Sequence, residues 1–280
     1  TFRIGGAADC YIKSVSNEVT VNVAKYCKEN NIPLFIIGNG SNLLVGDDGI
    51  RGVVLQLEAG DDVIDVDVET NYVTASAGIL LSKLASLSAK RGLSGLECIS
   101  GIPGTLGGAL YMNAGAYGDE ISNHIVSVTF LDEDLEVKTF SKENCCFGYR
   151  KSIFTDKNKI ILSAVLKLTP DEPSVIKEKM AGYTEQRVSK QPIEKFSAGS
   201  TFKRPEGDFA GSLIEKAGLK GKTIGGAQVS EKHAGFIINT GNASSGDVTK
   251  LIKYVQKKVN EDFGVMLEPE VKFIGVFRSE

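Results

Sequence analysis

Two polar side chains, Arg150 and Ser200, lie in local sequences that could support ligand binding or catalysis. Arg150 lies in the segment GYRKSIF, where aromatic and apolar residues surround an arginine. Its planar guanidinium could clamp a carboxylate or a phosphate through paired hydrogen bonds, and an ordinary surface arginine is the alternative. Ser200 lies in SAGSTFK, among small residues and three positions before Lys203. Its hydroxyl could donate a proton or a hydrogen bond in a tight site, or it could belong to a plain turn. Because no histidine base accompanies it, it does not resemble a hydrolase elbow.

Two carboxylates, Glu268 and Glu270, flank Pro269 in the segment LEPEV, at the start of an apolar strand. A carboxylate turned inward at this point would be costly to bury without a role. Strand alternation puts both on the same side, so the pattern does not decide between them. Two surface acids in salt bridges are the alternative.

The segment at residues 101–118, GIPGTLGGALYMNAGAYG, is rich in glycine and contains no charged residue. Its six glycines let the backbone approach another group closely. We interpret it either as a loop whose N–H groups face a phosphate or a flat cofactor, or as a buried connection in a tightly packed domain.

The first Gly-rich turn along the chain, GNGSN at residues 38–42, follows the apolar run LFII, and residues 101–118 form the second Gly-rich segment. A Rossmann fingerprint requires a helix after such a turn, and the LLVGDDG that follows is too short and too broken to form one. If the turn binds phosphate, it does so as a nest of backbone N–H groups with serine and asparagine donors. A plain β-turn is the alternative.

Composition limits the class of protein. The 280 residues are 42% apolar and 24% charged, with a net charge of −3. These values are ordinary for a globular protein and argue against nucleic acid or a membrane as a partner. The five cysteines lack Cys-x-x-Cys spacing, which predicts reduced thiols in the cytoplasm, and with only two histidines we expect no metal site. The chain starts at Thr1, so we expect a short preceding segment and no signal peptide.

Hydrophobic periodicity predicts an α+β chain. Helices are expected at residues 17–31, 79–91, 174–188, 208–217 and 247–263, and strands at 34–37, 52–57, 63–68, 72–77, 125–131, 135–140, 160–168, 224–229, 236–239 and 271–277. Two prolines within residues 169–173 predict a linker, and therefore a domain boundary near residue 170.

Taken in order along the chain, several segments resemble those of UDP-N-acetylenolpyruvoylglucosamine reductases. They are TFRIGG, GNGSNLLV, SGIPGTLGGALYMNAGAYG, GYRKSIF, GSTFKRP, GGAQVSEKHAGFIIN and LEPEVKFIG, which together span essentially the whole chain. The resemblance implies an N-terminal FAD-binding region of the vanillyl-alcohol-oxidase type at residues 1–170, with subdomains of about 1–57 and 58–170. It also implies a C-terminal α+β substrate-binding domain at residues 171–280.

The resemblance further implies a reaction in bacterial peptidoglycan precursor synthesis. In such enzymes NADPH reduces a non-covalent FAD, whose N5 passes a hydride to an enolpyruvyl ether on UDP-N-acetylglucosamine, giving UDP-N-acetylmuramate. By motif, Ser200 resembles the proton donor, while Arg150 and Glu270 resemble the residues that stabilise the enol-type intermediate. These types suit the roles, because hydride addition pushes negative charge onto the carbon that bears the carboxylate.

The same resemblance assigns residues to the two ligands. FAD is expected at Gly38, Asn39, Gly40, Ser41, Asn42, Gly101, Ile102, Pro103, Gly104, Thr105, Gly108, Asn113, Ala114, Gly115, Ala116 and Tyr117. The UDP-sugar substrate is expected at Tyr149, Lys203, Arg204, Gln228 and His233.

The stretch between Arg150 and Ser200 has no room for the tyrosine-bearing loop that one subgroup folds over its substrate. The chain therefore resembles the shorter, loop-less type II. Two other functions stay open from the sequence: another FAD-dependent oxidase or dehydrogenase of the same flavin fold, and a catalytically silent nucleotide-binding module. No obligate protein partner is evident.

Overall fold

The structure is a computed structural model that describes residues 1–60, 64–67, 69–155 and 159–278. The α-helices are α1 (Asn17–Glu29), α2 (Leu81–Lys90), α3 (Leu106–Met112), α4 (Pro173–Lys190), α5 (Ala210–Lys216) and α6 (Ser245–Phe263), and two 3₁₀ helices cover Ile121–His124 and Lys142–Cys145. The strands are β1 (Ala8–Ser14), β2 (Leu34–Ile37), β3 (Leu43–Val45), β4 (Ile50–Leu57), β5 (Ile64–Asp67), β6 (Tyr72–Ser76), β7 (Leu93–Ser94), β8 (Gly115–Ala116), β9 (Asp119–Glu120), β10 (Ile125–Leu131), β11 (Val137–Ser141), β12 (Ile160–Lys167), β13 (Thr169–Pro170), β14 (Phe196–Ser200), β15 (Thr223–Ile224), β16 (Ala227–Val229), β17 (Phe236–Asn239) and β18 (Lys272–Ile274).

The chain packs into two compact units. The N-terminal unit comprises Cys10–Asn39 and Val53–Gln186, and the C-terminal unit comprises Thr1–Asp9, Gly40–Gly52 and Arg187–Glu280. The chain therefore passes from one unit to the other within the first Gly-rich turn. The boundaries of these compact units differ from the domain boundaries predicted near residues 57 and 170. The predicted division into an FAD-binding region and a substrate-binding domain at those residues stays a prediction.

A five-stranded antiparallel sheet, in the order β11-β10-β12-β6-β5, lies at the centre of the N-terminal unit. Alternate residues of β10, Val128 and Phe130, are fully buried on one face. Leu84 of α2 and Leu110 of α3 belong to the same hydrophobic cluster. Burial of each such leucine stabilises the fold by about 2 kcal/mol. This packing stabilises α3, which lies within the second Gly-rich segment at residues 101–118.

The C-terminal unit combines a four-stranded sheet, in the order β14-β17-β16-β15, with α6. One face of α6 is buried through Val248, Leu251, Ile252, Val255 and Val259. Ser244 and Asp247 form a capping box at its start. In the same unit, β3 pairs in parallel with β18.

The predicted α+β fold class is confirmed, and most of the predicted helices and strands are present. The expected strand at 63–68 corresponds to β5, with residues 63 and 68 outside the described part of the chain. Two expectations are wrong. Residues 224–229 form two paired strands, because Gly225 takes a φ of 54° and turns the chain between them. Residues 106–112 form α3 inside the segment interpreted as a loop, because buried leucines outweigh the low helix propensity of its glycines.

Among the described residues, no helix is both long and apolar enough to cross a membrane. The same part of the chain contains no group of three or more His, Cys, Asp or Glu side chains placed to hold a metal ion.

Candidate active site

The two Gly-rich segments meet in the N-terminal unit. A Cβ atom on Gly38 would lie 2.1 Å from Oγ1 of Thr105, so the backbone can come this close only at a glycine. The side-chain amide of Asn39 donates to the carbonyl oxygen of Pro103 at 2.6 Å. On the other side of the turn, Nε2 of Gln56 donates to the carbonyl oxygen of Gly38 at 3.0 Å. These contacts fix the end of β2 against residues 103–105.

Thr105 begins α3 and sets its position. Its Oγ1 accepts the N–H of Gly108 at 3.3 Å, which makes it the N-cap. The N–H groups of Leu106 and Gly107 each donate, at 2.8 Å, to backbone carbonyls in the loop between β6 and α2. The first turn of α3 is therefore bonded to its neighbours through successive N–H groups.

The segment ends in a tight hairpin. β8 and β9 pair across a two-residue turn in which Tyr117 and Gly118 both have positive φ, 55° and 89°, as in a type I′ turn. The Tyr117 ring stacks on Tyr183 of α4, with ring centroids 4.8 Å apart. This stacking holds a tyrosine in a backbone conformation that few residues other than glycine adopt.

Arg150 lies in another tight turn of the N-terminal unit. Gly148 and Lys151 exchange backbone hydrogen bonds of 2.9 and 3.1 Å, and Arg150 between them has a φ of 53°. Its guanidinium donates to the carbonyl oxygen of Gly115 at 3.5 Å and lies 5.0 Å from the ring centroid of Tyr149. The structure thus brings Arg150 to the end of the second Gly-rich segment.

Ser200 and Glu270 lie on adjoining stretches of the C-terminal unit. Ser200 is exposed at the end of β14, after Gly199, whose φ is 78°. The carbonyl oxygen of the next residue, Thr201, accepts the N–H of Glu270 at 2.8 Å. Glu270 is half-buried, and the side-chain amide of Asn42 donates to its carbonyl oxygen at 3.1 Å. Asn42, Ser200 and Glu270, three predicted site residues, are therefore neighbours.

Glu268 has a partner of its own. Its carboxylate forms an ion pair with the ammonium of Lys203, and its carbonyl oxygen accepts the N–H of Lys203 at 2.8 Å. Glu268 is exposed, whereas Glu270 is half-buried. The sequence pattern did not distinguish the two carboxylates. In the structure, Glu268 fits the alternative of an exposed acid in a surface salt bridge.

The other predicted substrate residues have defined orientations in the C-terminal unit. The guanidinium of Arg204 lies 3.9 Å from the ring centroid of Phe209, and Gln228 donates a 3.2 Å hydrogen bond within the β15–β16 hairpin. Nδ1 of His233 accepts the N–H of Gly235 at 3.1 Å. Burial lowers the pKa of His233, so its ring is neutral at pH 7 and carries its proton on Nε2.

Three further residues position the site and were not predicted from the sequence: Gln56, Glu120 and Thr201. Glu120 accepts a hydrogen bond from the side-chain amide of Asn113 at 2.8 Å. Asp119 and Glu120 are the two carboxylates that directly follow the uncharged segment, and this is a signal that could have found Glu120. Gln56 acts on Gly38, and Thr201 acts through its backbone carbonyl. No pattern in the sequence marks either contact.

Two family models match the chain in succession. Residues 8–141 match a model described as an FAD binding domain. Residues 191–274 match a model described as the C-terminal domain of UDP-N-acetylenolpyruvoylglucosamine reductase. The protein is therefore an FAD-dependent oxidoreductase, and the predicted arrangement of an N-terminal FAD-binding region followed by a C-terminal domain is confirmed.

Individual relatives match over nearly the full length. The chain is 49% identical to UDP-N-acetylenolpyruvoylglucosamine reductase of Agathobacter rectalis, over 99% of this chain and 91% of the relative. It is 50% identical to the enzyme of the same name from Caldanaerobacter subterraneus subsp. tengcongensis, over 98% and 90%. The solved structure of UDP-N-acetylenolpyruvylglucosamine reductase from Thermus caldophilus is similar with a TM-score of 0.82 and 34% identity, covering 98% of this chain and 94% of that one. The chain belongs to the UDP-N-acetylenolpyruvoylglucosamine reductase family.

Two glycines, one in each Gly-rich segment, have the open space that binding of FAD requires. A Cβ on Gly108 would meet no atom nearer than 3.6 Å, and one on Gly40 none nearer than 3.9 Å. The space beside each of these glycines is open, and a side chain there would fill it. A pyrophosphate or a flat ring system can approach the backbone closely at such positions.

Proposed function

We propose that this enzyme reduces the enolpyruvyl ether of UDP-N-acetylenolpyruvoylglucosamine to UDP-N-acetylmuramate, in peptidoglycan precursor synthesis, with NADPH as electron donor. The observation that carries the proposal is the 49% identity to a reductase of this name over 99% of the chain. Bound FAD accepts electrons from NADPH and supplies the hydride to the substrate. Five free thiols favour the cytoplasm as the place of this reaction.

The FAD is held at the two Gly-rich segments. Gly40 and Gly108 let the backbone approach the cofactor, and Gly38 lets the two segments approach each other. The side chains of Asn39 and Thr105 keep the segments in register through the contacts described above. Further contacts come from the remaining residues that the family resemblance assigns within 38–42 and 101–117, and Asn113 contributes to them through its backbone only.

Ser200 supplies the proton. Hydride addition to the terminal CH₂ carbon of the enolpyruvyl group leaves negative charge on the carbon that bears the carboxylate, and this carbon takes the proton of Ser200 Oγ. The hydroxyl is exposed and has no hydrogen-bond partner within the described part of the chain, which leaves it available to substrate. A hydroxyl is a weak acid, but it is sufficient against a carbanion held in contact with it.

Arg150, as a cation, and Glu270, as a protonated acid that donates a hydrogen bond, stabilise the negative charge that develops on the substrate. The guanidinium is positively charged at every physiological pH. Glu270 is fixed through its backbone on both sides, by its N–H to Thr201 and by its carbonyl oxygen from Asn42. Groups held in place in this way need little reorganisation when charge develops, which is why they lower the barrier.

The UDP-sugar is bound by Tyr149, Lys203, Arg204, Gln228 and His233. Lys203 and Arg204 supply positive charge for the diphosphate. Because Lys203 is paired with Glu268, the diphosphate must take over this cation from the carboxylate. His233 contributes the N–H at Nε2 as a neutral donor.

Anaerobic stopped-flow absorbance tests the proposal in two steps. NADPH should bleach the flavin, and the UDP-enolpyruvyl sugar should then restore its colour, with UDP-N-acetylmuramate detected by mass spectrometry. A reduced flavin that the sugar fails to reoxidise would overturn the proposal. If an alcohol reduces the flavin and oxygen reoxidises it, the protein is an oxidase of the same fold, and protein that stays colourless with added FAD is a silent nucleotide-binding module.

A further inference from the structure

The side chain of Asn113 bonds to protein groups in three directions. It lies at the end of α3, is only 1% exposed and has a φ of 44°. Its Nδ2 donates to the Glu120 carboxylate at 2.8 Å and to the carbonyl oxygen of Gly148 at 3.1 Å. Its Oδ1 accepts the N–H of Ser122 at 3.2 Å. These bonds use both donors of the amide and one acceptor site. The orientation of the side chain is therefore set by its hydrogen bonds to other protein groups.

One of these partners is the first residue of the turn that carries Arg150. The carbonyl oxygen of Gly148 also accepts the N–H that closes this turn, from Lys151 at 3.1 Å. Arg150 itself has a φ of 53°. A non-glycine residue in this conformation costs of order 1 kcal/mol or more and persists only where its surroundings impose it. The bond from Asn113 is such a constraint.

The two segments are bonded to each other twice. Asn113 reaches forward to Gly148, and the guanidinium of Arg150 reaches back to the carbonyl oxygen of Gly115 at 3.5 Å. Residues 113–115 and 148–150 are therefore connected by two hydrogen bonds within the N-terminal unit. The Asn113 side chain, which makes one of them, is buried.

We propose that Asn113 is a positioning residue for Arg150: its amide holds the turn at residues 148–151 so that the guanidinium is placed for the reaction. The inference rests on the role proposed for Arg150 and deepens it. It leaves the backbone of Asn113 to the proposed FAD site, because the side-chain amide is engaged by Glu120, Ser122 and Gly148.

Asparagine is favoured at residue 113 for two independent reasons. It tolerates the left-handed backbone conformation at the end of a helix. Its amide also donates to a carboxylate and a carbonyl while accepting an N–H, which aspartate cannot do. Glycine keeps the backbone conformation and removes the side chain with its amide, so Asn113→Gly is the cleanest test.

The experiment compares the half-reactions of FAD-saturated Asn113→Gly, Arg150→Lys and the double variant by anaerobic stopped flow. We expect flavin reoxidation by the UDP-enolpyruvyl sugar to slow by about 10- to 100-fold in Asn113→Gly, as for a misplaced catalytic group. Flavin reduction by NADPH, the flavin spectrum and the affinity for FAD should stay close to wild type. The double variant should be no slower than Arg150→Lys, because both changes act through one group.

Asp132→Ala is the matched control. Asp132 is also buried in the N-terminal unit and accepts the N–H groups of Asp134 and Glu136 at 2.9 and 3.0 Å, in the hairpin between β10 and β11. Asp132→Ala should lower the stability of the protein, and it should not slow flavin reoxidation more than flavin reduction. If Asn113→Gly does not fold, Glu120→Ala removes one of the bonds that orient the amide and should slow reoxidation selectively, though less.

Three outcomes overturn the inference and leave the proposed function standing. The first is an effect of Asn113→Gly that multiplies with that of Arg150→Lys. The second is wild-type reoxidation in Asn113→Gly while Arg150→Lys is slow. The third is a changed flavin spectrum or weakened FAD binding in Asn113→Gly, which would place the amide at the cofactor. If Arg150→Lys reoxidises at the wild-type rate, the role of Arg150 fails and the inference fails with it.

Discussion

The side-chain amide of Asn42 donates a 3.1 Å hydrogen bond to the backbone carbonyl of Glu270, a residue 228 positions later in the chain. The backbone carbonyl of Asn42 in turn accepts the N–H of Lys272 at 2.9 Å, where β3 begins its parallel pairing with β18. One residue of the first Gly-rich turn thus fixes the backbone that carries the proposed catalytic carboxyl group.

Asn42→Asp should slow flavin reoxidation by the UDP-enolpyruvyl sugar about tenfold. Aspartate keeps the shape of asparagine but presents an oxygen to the Glu270 carbonyl, and loss of this donor costs about 1 to 2 kcal/mol. The measurement is single-turnover reoxidation at saturating FAD, with Asn260→Asp on the exposed face of α6 as the control. Wild-type reoxidation in Asn42→Asp would show that this bond is not needed to place Glu270.

Ser200→Ala should separate the two half-reactions most strongly. Loss of the proton donor should slow flavin reoxidation by the sugar about 10³-fold, while NADPH should still reduce the flavin at nearly the wild-type rate. Ser197→Ala is the matched control, because Ser197 lies on the same strand and its Oγ accepts the local N–H of Gly199, at 3.4 Å. Equal slowing of both half-reactions in Ser200→Ala would argue for a structural role of Ser200.

Local patterns predicted the elements but not the contacts between them. The apolar period of α6 and the apolar run of β2 are properties of neighbouring residues, and the structure has both where the sequence indicated them. The helix α3 was not predicted, because what stabilises it is burial of Leu106 and Leu110 in a cluster built from distant strands.

The site shows the same limit. Motifs pointed to Ser200 and Glu270 as single residues, but their adjacency depends on a bond between Glu270 and Thr201 that joins segments far apart in the chain. The role of the Asn113 amide was likewise invisible, since its partners Glu120 and Gly148 are identified only once the chain has folded. Resemblance to a family indicates which residues belong to the site. The structure shows which of their side chains are hydrogen-bonded to other protein groups.

Gly38→Ala should weaken FAD binding and destabilise the protein. The added Cβ would lie 2.1 Å from Oγ1 of the buried Thr105, so either the turn or the start of α3 must move. Overpacking of this kind costs about 1 to 3 kcal/mol. FAD affinity, measured by flavin fluorescence, and thermal unfolding check the prediction.

Gly182→Ala gives the matched control for this glycine. A Cβ on Gly182 in α4 would meet nothing within 4 Å, so alanine should stabilise the helix by up to about 1 kcal/mol and leave FAD affinity unchanged. Gly38→Ala with wild-type FAD affinity would argue that the close contact between the two Gly-rich segments does not shape the cofactor site.

Asp47→Asn should lower stability at neutral pH by about 1 kcal/mol. Oδ1 and Oδ2 of Asp47 accept the N–H groups of Ser245 and Gly246 at 2.8 and 3.2 Å, at the positive end of the α6 dipole. Burial alone would raise the pKa of Asp47, but hydrogen bonds from the backbone and hydroxyl of Ser245 and from Gly246 outweigh it and lower the pKa.

A carboxyl group whose pKa is lower in the folded state stabilises the fold above its unfolded pKa, about 3.9. This contribution is lost as the pH falls from there through the lowered folded value. The stability difference between wild type and Asp47→Asn, measured by urea unfolding of the FAD-saturated proteins, should therefore be constant from pH 7 to pH 5 and shrink below pH 4. Glu261→Gln, which removes an exposed partner of Lys257 on the same helix, should change little at any pH. A difference for Asp47→Asn that persists undiminished into acid would show that shape, and not charge, is what Asp47 contributes to α6.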